Sequence, residues 1–331
     1  MLPFKLVYSN DYHLPIGEHV FPSNKYRLIW QQLEKLGLAD ADDCLTPRPA
    51  SDADVLLVHT PMYLNKLKTG TLSAREELEL EVPYSPELVK AFMLQAGGSI
   101  LAADYALNDG ICIHIGGGFH HAFPDHGEGF CMLHDVAIAI RRMQQQGRIA
   151  RAMTFDCDVH QGNGTALIFG HGEVEPFPLP SASSVVVAGP HKPASMNQTA
   201  PKDVFTISLH QENNYPIWKP KSSIDVNLPD GTDDAQYLEW VDRALSQALQ
   251  RFEPELLCYI AGADPYREDQ LGGLSVSIDG LRKRDEYVLQ TAKDAGIPVM
   301  VTFAGGYAIN LQDTVEIHTN TIAAAARIFA S

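Results

Sequence analysis

An acidic cluster with a histidine follows one predicted strand and has the residue types of a metal site. Asp156, Asp158 and His160 alternate along the chain, so an extended backbone would direct their side chains to one side. Asp264, after a different predicted strand, can supply a third ligand. Three protein ligands and one open position are typical of a catalytic zinc, which acidifies water and polarises a carbonyl. Alternatively, Asp158 and His160 cap helices or pair with arginine.

Two adjacent histidines and a tyrosine have the chemistry to assist such a hydrolysis. His120 and His121 follow a glycine-rich run, and imidazole accepts and donates protons near neutral pH. Tyr307 follows two glycines, and its hydroxyl could donate a hydrogen bond to the oxyanion that forms when water attacks a carbonyl. Each feature alone also fits a surface turn, so the prediction depends on their shared placement.

That shared placement is the carboxyl end of predicted strands, where ligands bind in an open α/β sheet. Short apolar runs predict the strands, and their continuous apolar character is typical of strands buried on both faces. The predicted strands are Lys5–Tyr8, Val55–His59, Ile111–Ile115, Ala152–Phe155, Val204–Leu209, Leu256–Ala261 and Val299–Phe303.

Segments with helical periodicity alternate with these runs. One begins at Ser85, a predicted N-cap that precedes a proline. A second begins at Asp233 and Asp234. Two more cover Ser277–Ala295 and Leu311–Phe329. This alternation predicts a mostly parallel sheet covered by helices on both faces.

Composition limits the class of protein. The chain has 331 residues, of which 45% are hydrophobic and 20% charged. This ordinary globular mix excludes a disordered or fibrous chain. The net charge of −16 opposes binding to nucleic acid or to an anionic membrane surface. It favours cationic ligands, although many soluble enzymes are equally acidic.

Cysteine usage and the amino-terminal stretch predict a cytoplasmic protein. The five cysteines are widely spaced and lack a CxxC pair, so we expect reduced thiols rather than disulfides or a cysteine zinc site. We expect no signal peptide, because no charged region precedes a long apolar stretch. No apolar run is long enough to predict a membrane-spanning helix.

A stretch rich in proline, serine and alanine interrupts the alternation at about residues 170–202. It is too long for a plain connection, so we interpret it as a surface insertion or as a loop at the rim of the site. Within it, Val185–Ala188 could form a short extra strand. No repeat or clear linker divides the chain, and we therefore treat residues 1–331 as one catalytic domain with this insertion.

Several motifs together resemble the histone deacetylase family of the arginase/deacetylase superfamily. They are GGGFHHAFPDHGEGFCMLHDVAIAI, TFDCDVHQGNGTALIF, VFTISLH, AGADPYREDQLGGL and FAGGYA, in the family's order. The stretch GADPYREDQLGGLSVS and Asn163 are most similar to class IV and bacterial members. The resemblance implies a single-domain, three-layer α/β/α fold with a mostly parallel eight-stranded sheet.

The resemblance implies two kinds of bound cation. Asp158, His160 and Asp264 would bind Zn²⁺, although Fe²⁺ accepts the same ligand types. A structural monovalent cation, K⁺, would lie near a second set of residues, with Ser208 and Leu209 contributing oxygens: Asp156, Asp158, His160, Ser208 and Leu209.

It also implies catalytic roles. His121 would be the general base for water and then the acid for the departing amine, while His120 would assist electrostatically. Tyr307 would polarise the acyl oxygen. Asp156 would orient His120, and Asn163 would orient His121. Because an amide cannot stabilise an imidazolium by charge, we expect a lower pKa for His121 than a carboxylate at position 163 would give.

The implied reaction is removal of acetyl or longer acyl groups from N-acyl-lysine side chains, in proteins or in small acylated amines. Gly129 and Phe130 would line the channel, facing Tyr215. An acetylpolyamine or small-metabolite deacetylase is the alternative. An arginase-like binuclear manganese hydrolase fits less well, because it needs more bridging carboxylates. We expect no nucleic-acid or membrane partner, whereas homo-oligomerisation is possible.

Overall fold

The strands that precede the chemical residues all lie in one parallel sheet. The computed structural model describes residues 2–14, 16–170 and 203–330. The strands are β1 (Lys5–Val7), β2 (Cys44–Leu45), β3 (Ile111–His114), β4 (Ala152–Asp156), β5 (Val204–Gln211), β6 (Ile224–Leu228), β7 (Leu256–Ile260) and β8 (Val299–Thr302). Their order is β2-β1-β3-β8-β7-β4-β5-β6, and the paired strands run parallel. The predicted eight-stranded α/β fold is thereby confirmed.

One predicted strand is wrong, and the two edge strands are ones that the apolar runs did not predict. Residues 52–55 form a short helix that begins after Ser51, whose side chain and that of Asp54 form a capping box. The following turns place Val55 and His59 inside and Leu56 outside, a spacing of four rather than two. β2 is too short to show a pattern, whereas β6 alternates buried and half-buried residues, as a partly covered edge strand does.

The four predicted helices are present. The helices are α1 (Lys25–Lys35), α2 (Asp52–Val55), α3 (Pro61–Thr69), α4 (Ala74–Leu80), α5 (Pro86–Asp109), α6 (Asp135–Gln145), α7 (Asn163–Phe169), α8 (Asp234–Arg251), α9 (Ile278–Asp294) and α10 (Leu311–Phe329). The side chains of Ser85, Asp233 and Ser277 accept backbone hydrogen bonds at the starts of α5, α8 and α9. These caps satisfy amide groups that would otherwise lack a partner.

The sheet separates two apolar cores. In β3, Ile111 and Ile113 belong to one core and Cys112 to the other, because successive side chains of a strand point to opposite faces. Cys112 shares its core with alanines of α5 and with Ile140 of α6. Ile113 shares its core with apolar residues of α1, α8, α9 and α10. This burial on both faces holds the central strands rigidly beneath the candidate site.

The remaining predictions have separate outcomes. All five cysteines are free thiols. The greater part of the insertion, including Val185–Ala188, lies outside the described residues. In the described parts of the chain, no helix combines the length and apolar character needed to cross a bilayer.

Candidate active site

The predicted metal ligands converge at the carboxyl ends of neighbouring strands. Asp156 ends β4, and Asp158 and His160 follow it in a turn. Asp264 follows β7, which pairs with β4 so that Asp156 lies opposite Ile260. One potential ligand atom each from Asp158, His160 and Asp264 lies within 4.8 Å of the others, and all three residues are buried. The sheet register therefore brings distant parts of the sequence to one point.

The hydrogen bonds of these ligands leave one oxygen available. Nδ1 of His160 lies 3.1 Å from Oδ1 of Asp158 and 3.3 Å from Oδ2 of Asp264. Oδ1 of Asp264 accepts a hydrogen bond from the backbone of Val159 at 2.8 Å. Its buried Oδ2 accepts none from the residues that the structure describes. A buried carboxylate oxygen without a donor is costly unless a cation binds it, so this set fits a metal ion.

The electrostatics of the cluster agree with a bound cation. Burial alone would lower the pKa of His160, but the carboxylates of Asp158 and Asp264 raise it to about 10. Burial and the charge of Asp158 raise the pKa of Asp264 to about 8. The two carboxylates thus compete for positive charge at one place, which a divalent ion with Asp and His ligands can provide.

Gly305 supports the same carboxylates from the next strand end. Its amide donates a hydrogen bond to Oδ2 of Asp158 at 2.8 Å. A Cβ atom at position 305 would collide with the carboxylate oxygens of Asp158 and Asp264. Glycine is therefore required here because the backbone itself lies against the cluster.

The tandem histidines lie beside the cluster, each held by its own partner. They follow β3 after a glycine-rich turn, and the centroids of their rings are 4.1 Å apart. Nδ1 of His120 lies 2.7 Å from Oδ2 of Asp156. Nδ1 of His121 lies 2.7 Å from Oδ1 of Asn163, the first residue of α7. Both rings therefore have fixed orientations, with Nε2 as the second nitrogen.

The environments of these histidines differ in charge. For His120, burial acts to lower the pKa, but the carboxylates of Asp156 and Asp158 raise it to about 9. For His121, burial and the neighbouring charges of His120 and His160 hold the pKa well below its usual range. At neutral pH His120 is thus a cation and His121 a neutral base, as expected when neighbouring titratable groups have different partners.

Tyr307 lies over the cluster after β8. Its ring centroid is 6.4 Å from that of His160 and 6.1 Å from that of Phe130. Its amide donates a hydrogen bond to Oδ2 of Asp269 at 2.6 Å. Burial and the nearby carboxylates of Asp158 and Asp264 raise the pKa of Tyr307 well above its usual value. The phenol therefore keeps its proton and can act as a hydrogen-bond donor.

A small aromatic cavity leads to these groups. Its lining includes Phe130, Gly129 and Tyr307, together with His121 and Phe21. Phe21 is an aromatic residue that the sequence interpretation did not assign, and its ring centroid lies 6.0 Å from that of Phe130.

Tyr215 lies on another side of His121, with the two ring centroids 5.0 Å apart and nearly perpendicular. A Cβ at position 129 would contact both of these rings, so Gly129 lets Tyr215 approach His121. The structure therefore places Tyr215 against the histidine, while Phe21 packs beside Phe130.

The residues assigned to a monovalent cation lie at the end of β4 and β5. Asp156 is opposite Ser208 in the register of these strands, and Leu209 is the next residue of β5. The hydroxyl of Ser208 lies 3.0 Å from Nδ1 of His210. The cation itself stays a prediction.

Three polar residues near the site were not singled out from the sequence. Lys25 is fully buried and donates a hydrogen bond to the backbone oxygen of Ala304. Burial lowers its pKa to about 8, against the opposing effect of the carboxylates. Asp269 holds the backbone of Tyr307, and Glu128 binds Asn163 at 2.7 Å. Glu128 lies inside the HGEGF motif, whereas nothing in the sequence marked Lys25.

Comparison with known proteins identifies the family. A profile of the histone deacetylase domain matches residues 19–322. The chain belongs to the histone deacetylase family. Members of this family are deacetylases and related amidohydrolases, so the protein is a deacetylase-family hydrolase.

Two relatives and one solved structure show how far the likeness to this deacetylase extends. An uncharacterized protein of Picosynechococcus is 38% identical over 317 residues, which cover 96% of each chain. Histone deacetylase 2 of Arabidopsis thaliana is 32% identical over 91% of this chain and 74% of its own. The crystal structure of a histone deacetylase homologue from Aquifex aeolicus covers 98% of this chain and 84% of its own, with a TM-score of 0.76 and 22% identity. The last comparison shows the shared fold.

Proposed function

We propose that this deacetylase is a zinc-dependent hydrolase that removes acetyl or longer acyl groups from N-acyl-lysine side chains. The observation that carries the proposal is the convergence of Asp158, His160 and Asp264, with an unpaired buried oxygen on Asp264, beside His121 and Tyr307. A zinc ion bound by the three ligands would polarise the acyl carbonyl and acidify water. Fe²⁺ accepts the same ligands and is the alternative metal.

His121 would transfer the protons. Its Nδ1 is paired with the oxygen of Asn163, so Nε2 carries the lone pair that accepts a proton as water attacks the carbonyl. The new bond joins the water oxygen to the acyl carbon. The same nitrogen then returns the proton to the departing amine as the carbon–nitrogen bond breaks, which leaves a carboxylate and lysine.

Two further groups would stabilise the transition state. The protonated phenol of Tyr307 would donate a hydrogen bond to the oxyanion as it develops. The cationic ring of His120, held by Asp156 at 2.7 Å, would offset negative charge next to His121. Asn163 would orient His121 as Asp156 orients His120. Groups fixed before the reaction provide this stabilisation without reorganising.

The walls of the cavity would select an extended side chain. Phe130, Phe21 and Gly129 would contact the methylene stem, because aromatic faces suit an apolar chain with a polar tip. Tyr215 would close the side next to His121. A K⁺ ion near Ser208 and Leu209 would support the end of β5 from behind the site.

An acetylpolyamine or another small acylated amine is the second candidate substrate. The observations in its favour are the net charge of −16 and the half-buried acid Glu128 next to Gly129. An arginase-like reaction is disfavoured, because within the described residues the only metal-competent group is the three-ligand one.

We further propose a single catalytic domain over residues 1–331, acting without nucleic-acid or membrane partners and possibly as a homo-oligomer. Free cysteines are typical of a reducing compartment such as the cytoplasm.

Turnover of the purified, zinc-loaded protein on a matched panel tests the proposal. The panel contains an acetyl-lysine peptide, a myristoyl-lysine peptide and N-acetylputrescine, with chelator and Tyr307→Phe as controls. Chelator-sensitive release of amine from either peptide is the expected result. Release from the polyamine alone would assign the second candidate, and inactivity toward all three substrates with zinc bound would contradict both.

A further inference from the structure

The residue that orients His121 is itself held by a carboxylate. Oδ1 of Asn163 faces Nδ1 of His121 at 2.7 Å and accepts the amide hydrogen of Gly164 at 3.1 Å. Its Nδ2 donates a hydrogen bond to Oε1 of Glu128 at 2.7 Å. A carboxylate can only accept and a backbone amide can only donate, so both contacts favour the same orientation of the Asn163 amide.

This orientation determines the state of His121. Because the oxygen of Asn163 points at the ring, Nδ1 of His121 must carry the hydrogen. Nε2 is then the basic nitrogen. The opposite orientation of the amide would place its NH₂ group against the ring and bring the oxygen of Asn163 against Glu128, where two acceptors would repel.

Glu128 is placed to keep its negative charge. Burial acts to raise its pKa, but hydrogen bonds from His126, Tyr215 and Asn163 outweigh burial and lower it. The hydroxyl of Tyr215 donates to the same Oε1 at 2.7 Å, and Nε2 of His126 lies 3.7 Å from Oε2. The side chain is 21% exposed, so its interaction with Asn163 is only partly screened by water.

We propose that Glu128 is a positioning residue for His121 and acts through Asn163. It fixes the amide so that His121 presents Nε2 as a base, and its negative charge stabilises the imidazolium that forms when His121 takes a proton. The inference rests on the proposed hydrolysis. It also explains how a neutral amide can serve beside the base, because the charge lies one hydrogen bond further away.

A charge exchange between the two positions tests this relay. Glu128→Gln retains acceptors for Asn163 and Tyr215 but removes the charge, so we expect kcat to fall about tenfold with little change in KM. Asn163→Asp alone faces one carboxylate with another and should also lower kcat. The double variant restores one charge and one amide in exchanged places, and we expect kcat within about threefold of wild type.

The controls separate the relay from a structural role and from general charge. Glu81→Gln removes a carboxylate whose charge acts on the same neighbourhood but which is outside the relay, and it should keep wild-type kcat. Zinc content and melting temperature should be unchanged in all variants. A wild-type kcat for Glu128→Gln, or a double variant no better than Glu128→Gln, would overturn the proposal.

A measurement independent of turnover distinguishes failure of this inference from failure of the proposed function. In ¹⁵N-histidine-labelled zinc-loaded protein, NMR should show His121 with its hydrogen on Nδ1. A hydrogen on Nε2 overturns the relay even if the enzyme is active. A hydrogen on Nδ1 in a protein that hydrolyses no substrate of the panel supports the relay and contradicts the proposed substrate.

Discussion

The rings of His120 and His121 lie 4.1 Å apart, yet their surroundings shift their pKa values in opposite directions. Asp156 and Asp158 overcome burial and raise the pKa of His120 to about 9. His121 faces the neutral amide of Asn163 and two nearby histidine charges, and its pKa is held well below the usual range. Adjacent residues of one type thus have different chemical roles because different side chains hold them.

We expect His121→Ala to lose nearly all turnover, by at least about 100-fold, because it removes the group that moves both protons. The metal ligands are untouched, so zinc should stay bound at the wild-type stoichiometry. Steady-state kinetics and elemental analysis measure the two effects. His13→Ala, at an exposed histidine, is the matched control. Substantial turnover in His121→Ala would show that another group is the base.

Tyr307→Phe should lower kcat by about 10²- to 10³-fold while KM changes little, because the lost hydrogen bond forms chiefly in the transition state. The ring stays against Phe130 and the backbone stays bound to Asp269. Kinetics over a range of acyl-peptide concentrations separate the two parameters. An increase in KM with unchanged kcat would indicate that the hydroxyl binds substrate rather than the oxyanion.

Gly305→Ala should weaken metal binding, because the new methyl group collides with the carboxylates of Asp158 and Asp264. Calorimetric titration of metal-free protein with zinc measures the change in affinity. Gly147→Ala is a suitable control, since its Cβ meets open space and only its positive φ of 68° is strained. The control should lose about 1 kcal/mol of stability and bind zinc normally. Equal zinc affinity in the two variants would contradict the predicted collision.

Acid should destabilise the protein partly through His59. Burial lowers the pKa of this residue from 6.5 to about 4, and its Nε2 accepts the amide hydrogen of His134 at 3.0 Å. Between pH 6.5 and 4 the unfolded chain binds more protons at this position, so the free energy of unfolding falls as pH falls.

The expected contribution of His59 approaches about 1 kcal/mol per pH unit in that window. Denaturant unfolding at pH 6.5, 5.5 and 4.5 measures it. His59→Gln keeps an acceptor for His134 but cannot titrate, so its stability should depend less on pH. Parallel curves for the variant and wild type would refute the assignment.

The sequence predicted the features that depend on strong local patterns. Buried strands such as β4 and β7 are continuous apolar runs, and residues that end them must meet at one edge of a parallel sheet. The site was therefore predictable as a group. Val55–His59 misled because a short apolar run does not separate a strand from helical turns, and Ser51 with Asp54 decided for the helix.

Partners that depend on tertiary contacts could not be predicted. Glu128 meets Asn163 across 35 residues of sequence, and no local pattern records that distance. Lys25 is at the start of α1, where a lysine usually faces water, yet the fold buries it beneath the loop that carries Tyr307. Such contacts arise only when separate elements pack together.

The central position of β4 and β7 has a consequence for motion. Strands at the middle of a sheet, buried on both faces, open to solvent chiefly when the whole domain unfolds. Because Asp156 and Asp264 are attached to these strands, the ligand cluster has no hinge on which to loosen. Amide hydrogens of β4 and β7 should exchange with deuterium among the slowest in the protein, so substrate access must depend on movement at the rim rather than at the base.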